Sequence, residues 1–136
     1  MQHTTLPSQA RVLIADDNPY VRIGLRVSLG DAPELDVVSE AADGAEALDL
    51  CRTLAPDLAI LDLRMPVMDG LQATAAIRAT CPRTRVLVMS VVDTRDYRER
   101  AQMAGADAFL SKDAEADELL REVRRLLRPP DAIARG

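Results

Sequence analysis

Several kinds of chemistry are excluded by what this 136-residue chain has little of. It carries one histidine, His3, close to the first residue, so no Ser-His or Cys-His nucleophile pair is available. Its two cysteines, Cys51 and Cys81, lie far apart in helix-like segments and form no C-x-x-C pair, which favours buried free thiols over a disulfide or metal site. Three aromatics (Tyr20, Tyr97, Phe109) are too few for a base-stacking platform. A net charge of −5 argues against direct nucleic-acid binding. No apolar run approaches a membrane span of about 18 residues, and no signal-peptide pattern precedes the first apolar segment. The expectation is a cytoplasmic domain without a membrane partner. Neither G-x-x-x-x-G-K-[ST] nor G-x-G-x-x-G occurs, so nucleotide binding lacks its usual loop.

What remains is a balanced composition, 48% hydrophobic and 29% charged, with enough chain for one core. Residues 1–10 read as a flexible tail, 11–128 as the folded domain and 129–136 as linker or tail. The centre is Leu58-Ala59-Ile60-Leu61, a run too short for a helix. It is bracketed by Pro56-Asp57 and Met65-Pro66, so it reads as a strand buried on both faces. Similar runs occur at Val12–Ala15, Leu35–Ser39, Arg85–Met89 and Asp107–Leu110.

Helical segments alternate with them. Asn18 and Pro19 open the first, whose inward stripe is Val21, Leu25 and Leu29. Ile23 and Val27 fall on its opposite side and are expected to face solvent, either as part of a contact surface, with the neighbouring last helix in a homodimer, or as two scattered surface apolars. Asp43-Gly44-Ala45-Glu46 resembles a capping box before a second helix with Ala47, Leu48, Cys51 and Leu54 inward. Asp69-Gly70 opens the third, and Thr94–Ala104 forms a weakly amphipathic fourth ended by Gly105. Glu115–Arg128 forms the fifth, with Leu119, Leu120, Val123, Leu126 and Leu127 on one face. Five strands alternating with five helices predict an α/β fold: a five-stranded parallel sheet in the order 2-1-3-4-5, covered by helices on both faces.

That order brings the polar strand endings to one edge: Asp16 and Asp17, Asp62, Ser90 and Lys112. Two carboxylates about 5 Å apart repel by roughly 3 kcal/mol at an effective dielectric near 20, so three together call for a cation. Hard oxygen donors suit Mg²⁺ or Mn²⁺ better than zinc. An acid nucleophile, a metal, a lysine and a hydroxyl are the equipment for phosphoryl transfer onto a carboxylate.

The stretches LIADDN, LAILDLRMPVMDG, VLVMS and GADAFLSKDA, in this order at these strand ends, resemble the receiver domain of two-component response regulators, with its flavodoxin-like fold. The resemblance runs from about Arg11 to Arg128. It implies that Asp62 accepts a phosphoryl group from a sensor histidine kinase or phosphotransfer protein. It implies that Asp17, Asp62 and the backbone carbonyl of Arg64 ligate Mg²⁺, with Asp16 acting through water. It implies that Lys112 pairs with the acceptor, and that Ser90 and Phe109 form the switch. Such a domain is a regulatory acceptor, not an enzyme. Phe109 replaces a frequent Tyr, Lys112 is followed by Asp113 instead of Pro, and Arg64 occupies a variable position near the acceptor. The phrasing is most similar to receivers that precede a LuxR-type helix-turn-helix. Both a stand-alone receiver and a fragment of a transcription regulator fit this, and a phosphorylation-independent binding module with receiver shape is the competing reading. A haloacid-dehalogenase-type phosphatase is disfavoured, because its second acid would fall where Arg64 stands.

Overall fold

The short apolar runs form strands, the three central ones largely buried on both faces and the two edge strands only partly. In the computed structural model, which describes residues 9–128, these are β1 (Ala10–Ala15), β2 (Leu35–Ala41), β3 (Leu58–Asp62), β4 (Arg85–Ser90) and β5 (Ala108–Ser111). The helices between and after them are α1 (Pro19–Gly30), α2 (Gly44–Leu54), α3 (Gly70–Thr80), α4 (Arg95–Ala104) and α5 (Ala116–Leu127). All strand pairs are parallel, in the order β2-β1-β3-β4-β5. The expected sheet is therefore the observed one.

Strand alternation divides the core in two. Leu13, Ala15, Ala59, Leu61, Val86 and Val88 point to the face covered by α2, α3 and α4, where Ala47, Cys51, Ala73, Ile77 and Ala101 meet them. Val12, Ile14, Leu58, Ile60, Leu87 and Met89 point to the face covered by α1 and α5, against Leu29, Leu119, Leu120, Val123 and Leu126. Each fully buried Leu, Ile or Val removed from water stabilises the fold by roughly 2 kcal/mol.

The caps follow the sequence with one exchange. Asn18 accepts from Tyr20 N at the start of α1, and Thr94 from Tyr97 N at the start of α4. Asp43 accepts from Glu46 N, but the Glu46 carboxylate reaches back to Ala42 N and not to Asp43, so the expected box is displaced by one residue. A complete capping box stands at α3, where Asp69 and Gln72 exchange both bonds. Gly105 closes α4 at φ 103, a left-handed conformation that glycine adopts without strain.

Some expected boundaries shift. Ala10, placed in the tail, begins β1 and its N–H donates to Glu34 O at 2.8 Å. The rest of the expected tail, residues 1–8 with His3, and the expected linker at 129–136 lie outside the described residues. β2 runs on to Ala41, and β5 begins at Ala108 because Asp107 serves as an acceptor before the strand. Cys51 is buried and its thiol is pushed up to about 12, mainly by burial. Cys81 is only half-buried, because it caps the carboxyl end of α3 instead of lying within a helix. Both are free thiols. Ile23 and Val27 face solvent at 57% and 68% exposure, as the helical spacing predicts. Among the described residues, no helix is long and apolar enough to cross a membrane.

Candidate functional site

The carboxyl ends of the strands collect the polar residues. Ala15 pairs with Leu61, so Asp16 and Asp62 come side by side one residue further along. Ser90 closes β4 opposite Ser111, and Lys112 follows at once, its N–H donating to Ser90 O at 2.8 Å. A single cation reaches across from β5: Lys112 Nζ lies 2.6 Å from Asp16 Oδ2 and 3.0 Å from Asp62 Oδ1. Asp16 is 2% and Asp62 8% exposed, while Asp17 opens to solvent.

Local backbone geometry holds this arrangement. Asn18 N donates to Asp16 Oδ1 at 2.8 Å, tying the first carboxylate to the turn that starts α1. Arg22, one turn into α1, donates to Asp16 O at 2.5 Å and to Glu40 of β2 at 2.9 Å, which seats the helix over the sheet edge. On the other side, Gly70 is required by close approach: a Cβ there would meet Asp62 O at 2.2 Å. Its own N–H donates to Leu63 O at 2.9 Å, so α3 begins directly against the end of β3. Between them the loop turns sharply at Val67. This β-branched residue sits at φ 69, with Met68 N donating to Pro66 O at 2.7 Å.

The electrostatics are uneven. Burial pushes the Asp62 carboxyl above its ordinary range and the Asp16 charge adds to this, while Lys112 and the Arg64 N–H oppose it. Burial alone would lower Lys112, but its hydrogen bonds to Asp16 and Asp62 outweigh that and hold its ammonium protonated. One lysine faces three aspartates, so negative charge is left over.

Carboxylate oxygens of Asp16, Asp17 and Asp62 all lie within 4.8 Å of one another. The donor set is entirely hard oxygen, part of it open to water, which fits Mg²⁺ or Mn²⁺ and does not fit a thiolate- or imidazole-seeking ion.

The remaining expected residues lie around this pocket. Ser90 is 2% exposed, and its Oγ accepts from Val92 N at 3.0 Å. Arg64 is exposed, and its guanidinium donates to Tyr97 OH on α4 at 3.3 Å. Phe109 is half-buried on β5, with the Arg98 guanidinium 5.0 Å from its ring centroid. Among the described residues there is no cis peptide bond, so Lys112–Asp113 is trans. Sequence reasoning missed Arg22, Asp93 and Arg98. Nothing in their spacing names their partners, although Asp93 and Arg98 flank the start of α4.

The structure is thus a parallel α/β domain with an acidic, oxygen-lined pocket at its switch point. Comparison with known proteins narrows this. Residues 12–124 match the family model for the response regulator receiver domain, and the chain belongs to that family. A probable transcriptional regulatory protein NarL of Mycobacterium tuberculosis is 40% identical over 128 residues, covering 94% of this chain and 59% of that protein. The nitrate/nitrite response regulator NarL of Escherichia coli is 36% identical over 116 residues, covering 85% of this chain and 54% of that one. The solved receiver domain of the M. tuberculosis NarL superposes with a TM-score of 0.86 at 40% identity, covering 89% of this chain and 98% of that domain. The chain thus spans less than two thirds of the length of these curated relatives.

Proposed function

We propose that this receiver domain is a phosphorylation-controlled switch with Asp62 as the acceptor. The observation that carries this is the pairing of Asp62 with Lys112 at 3.0 Å, inside a pocket whose other charges are Asp16 and Asp17. In the transfer, an Asp62 carboxylate oxygen attacks the phosphorus of a phosphohistidine on a sensor kinase or phosphotransfer protein. The new O–P bond forms as the N–P bond breaks, and the imidazole leaves with the electron pair and takes up a proton.

Lys112 already faces the acceptor oxygen and holds positive charge where negative charge accumulates. Asp17, Asp62 and the backbone carbonyl of Arg64 would hold Mg²⁺ or Mn²⁺, with Asp16 beside them. That ion supplies neutralising charge for carboxylate and phosphoryl oxygens. Ser90, buried at the end of β4, supplies a hydroxyl to the phosphoryl group. In leaving Val92 N it frees the loop that leads to α4, and Phe109 moves inward as that loop shifts.

The changed surface of α4, β5 and α5 would then meet a partner or a second copy of the chain. The related NarL of M. tuberculosis is a probable transcriptional regulatory protein, and the output we propose is control of transcription through a partner or a linked DNA-binding region, in the cytoplasm. The domain itself is a regulatory acceptor, not a turnover enzyme.

Intact mass after incubation with Mg²⁺ and a small acyl-phosphate donor tests the reading. One added phosphoryl group, labile to hydroxylamine and absent from Asp62→Asn, is the expected result. An unmodified, folded protein would leave a phosphorylation-independent binding module instead.

A further inference from the structure

Phe109 occupies the proposed switch position without the hydroxyl that a tyrosine would use to anchor itself at the surface. The ring is half-buried against the core under α4, and its exposed side has no polar anchor of its own. The structure supplies one in Arg98, one turn into α4. Its guanidinium lies 5.0 Å from the centroid of the Phe109 ring. The same guanidinium makes a forked pair with Asp93, through Nε at 2.5 Å and a terminal nitrogen at 2.8 Å. Ring and arginine both border a cavity of about 250 Å³ between α4 and β5, which leaves the ring space at the surface.

Asp93 is three residues beyond Ser90, in the loop that Ser90 Oγ pins through Val92 N at 3.0 Å. Arg98 therefore touches both moving parts of the switch: the loop through a carboxylate fork and the ring through its π face. Among the described residues, Asp93 is the acid that pairs with Arg98, so the loop is what ties the guanidinium in this position.

We infer that Arg98 is a clasp on the switch, a positioning residue that holds Phe109 outward while Asp93 keeps the β4–α4 loop in its resting place. This rests on the proposed reading of Ser90 and Phe109 as the switch. Releasing the clasp shifts the equilibrium toward the inward ring before any phosphoryl group arrives. Phosphorylation then has less resting-state stabilisation to overcome, and a phosphoryl mimic binds more tightly.

Phe109 is the only phenylalanine in the chain, so biosynthetic 4-fluorophenylalanine gives a single ¹⁹F resonance from the ring in question. Spectra of the wild-type chain, free and saturated with Mg²⁺ and beryllofluoride, define the resting and switched positions. In Arg98→Ala without ligand, the resonance is expected to lie part-way toward the switched position. The beryllofluoride midpoint is expected to fall about two- to fivefold, the factor equivalent to one exposed cation–π contact. Arg98→Lys keeps the charge but loses the fork and should fall between the two. Asp93→Asn, which leaves the arginine over the ring but weakens its tie to the loop, gives a milder change in the same direction and serves if Arg98→Ala does not fold.

A resonance that moves without any change in midpoint would mark loss of cover over the ring and would overturn the clasp. An unchanged or weakened midpoint would do the same. If the wild-type resonance ignored beryllofluoride while intact mass still showed phosphorylation of Asp62, Phe109 would not be a switch and the clasp would fall, with the acceptor reading standing. If phosphorylation itself failed, both would fall.

Discussion

Two edges of one sheet use aspartate in opposite ways. At the amino edge, Asp57 and Asp107 each stand one residue before a strand and extend its ladder with a side chain. Asp57 Oδ2 accepts from Arg11 N of β1 at 2.7 Å, and Asp107 Oδ2 accepts from Val86 N of β4 at 2.8 Å and from Arg78 at 2.7 Å. Thr84 completes that edge by donating to Pro56 O at 2.8 Å. At the carboxyl edge, Asp16 and Asp62 face each other and share one lysine. The amino edge answers each carboxylate with N–H donors alone, whereas the carboxyl edge, although Asn18 N and the Arg64 N–H donate there too, sets carboxylate against carboxylate. A strand-end aspartate thus meets different surroundings at the two edges, and in the function proposed above only the second arrangement gathers charge that an incoming cation and phosphoryl group would use.

Exchanging the roles should give the largest effects. Asp62→Asn is expected to abolish phosphoryl uptake altogether, read by intact mass, and to raise the resistance of the metal-free protein to urea, since it removes a buried charge next to Asp16. Asp107→Ala should do the reverse. It leaves Val86 N without its acceptor, takes the ion pair from Arg78, which keeps its bonds to Gly105 O and Pro82 O, and lowers stability by about 1–3 kcal/mol, with phosphoryl uptake retained. If Asp107→Ala lost uptake at unchanged stability, the division between the two edges would be wrong.

Both edges were partly legible beforehand, for different reasons. Val12–Ala15, Leu58–Leu61 and Arg85–Met89 are brief apolar runs closed by acid or hydroxyl, a pattern that a two-sided buried strand dictates, so the sheet and the gathering of Asp16, Asp62, Ser90 and Lys112 could be read from the chain. Ile23 and Val27 were placed on the solvent side by counting 100° per residue. The role of Asp57 and Asp107 was not legible, because a carboxylate that extends a ladder looks in sequence like any turn residue. The same holds for Arg98, whose two partners lie five residues before it and eleven after it, on separate elements. The positive φ of Val67 contradicts its own side-chain preference, and only the closure of the loop between Asp62 and Gly70 accounts for it.

A stability effect of comparable size should come from the shared cation. Lys112→Met leaves Asp16 and Asp62 together without a partner, and is expected to destabilise the metal-free protein by about 3 kcal/mol. Added Mg²⁺ should then raise the melting temperature more in this variant than in the wild-type chain, because the ion meets an acid pair with no competing ammonium. Equal Mg²⁺-dependent shifts in the two proteins would mean that the lysine contributes little to balancing the pocket.

Acid titration sharpens the same contrast with a smaller change. The native Asp62 carboxyl is held above its ordinary 3.8, chiefly by burial, so the folded state keeps its proton longer than the unfolded chain does. Stability from this residue is therefore highest below the unfolded value and falls as pH rises from there through the native one. Glu40 behaves oppositely. Its hydrogen bond to Arg26, aided by Arg22, lowers it from 4.5, so its contribution is present above that value and is lost as pH falls through the native one. In chelator-treated samples, the stability deficit of wild type relative to Asp62→Asn should widen as pH rises from about 4 and then level off. A difference that stayed flat with pH would show that Asp62 is ionised as easily in the fold as outside it.

The smallest test compares strain at the two edges. Each has one residue other than glycine with positive φ: Ala55, the left-handed cap of α2 at φ 46, and Val67, in the loop after Asp62 at φ 69. Glycine relieves the clash of a side chain in this region but enlarges the freedom of the unfolded chain, and the two effects partly cancel. For alanine the relief is modest, so Ala55→Gly should change stability by no more than about 0.5 kcal/mol. A β-branched side chain is held there at greater cost, and Val67→Gly should stabilise by about 1 kcal/mol, measured by urea unfolding. The loop at Val67 is also the path from the acidic pocket to α3. Rigidity there serves the pocket, so Val67→Gly should shorten the lifetime of the phosphorylated form by a small factor, while Ala55→Gly leaves it unchanged. Equal lifetimes in the two variants would make the strain at Val67 a packing consequence, of the same kind as that at Ala55.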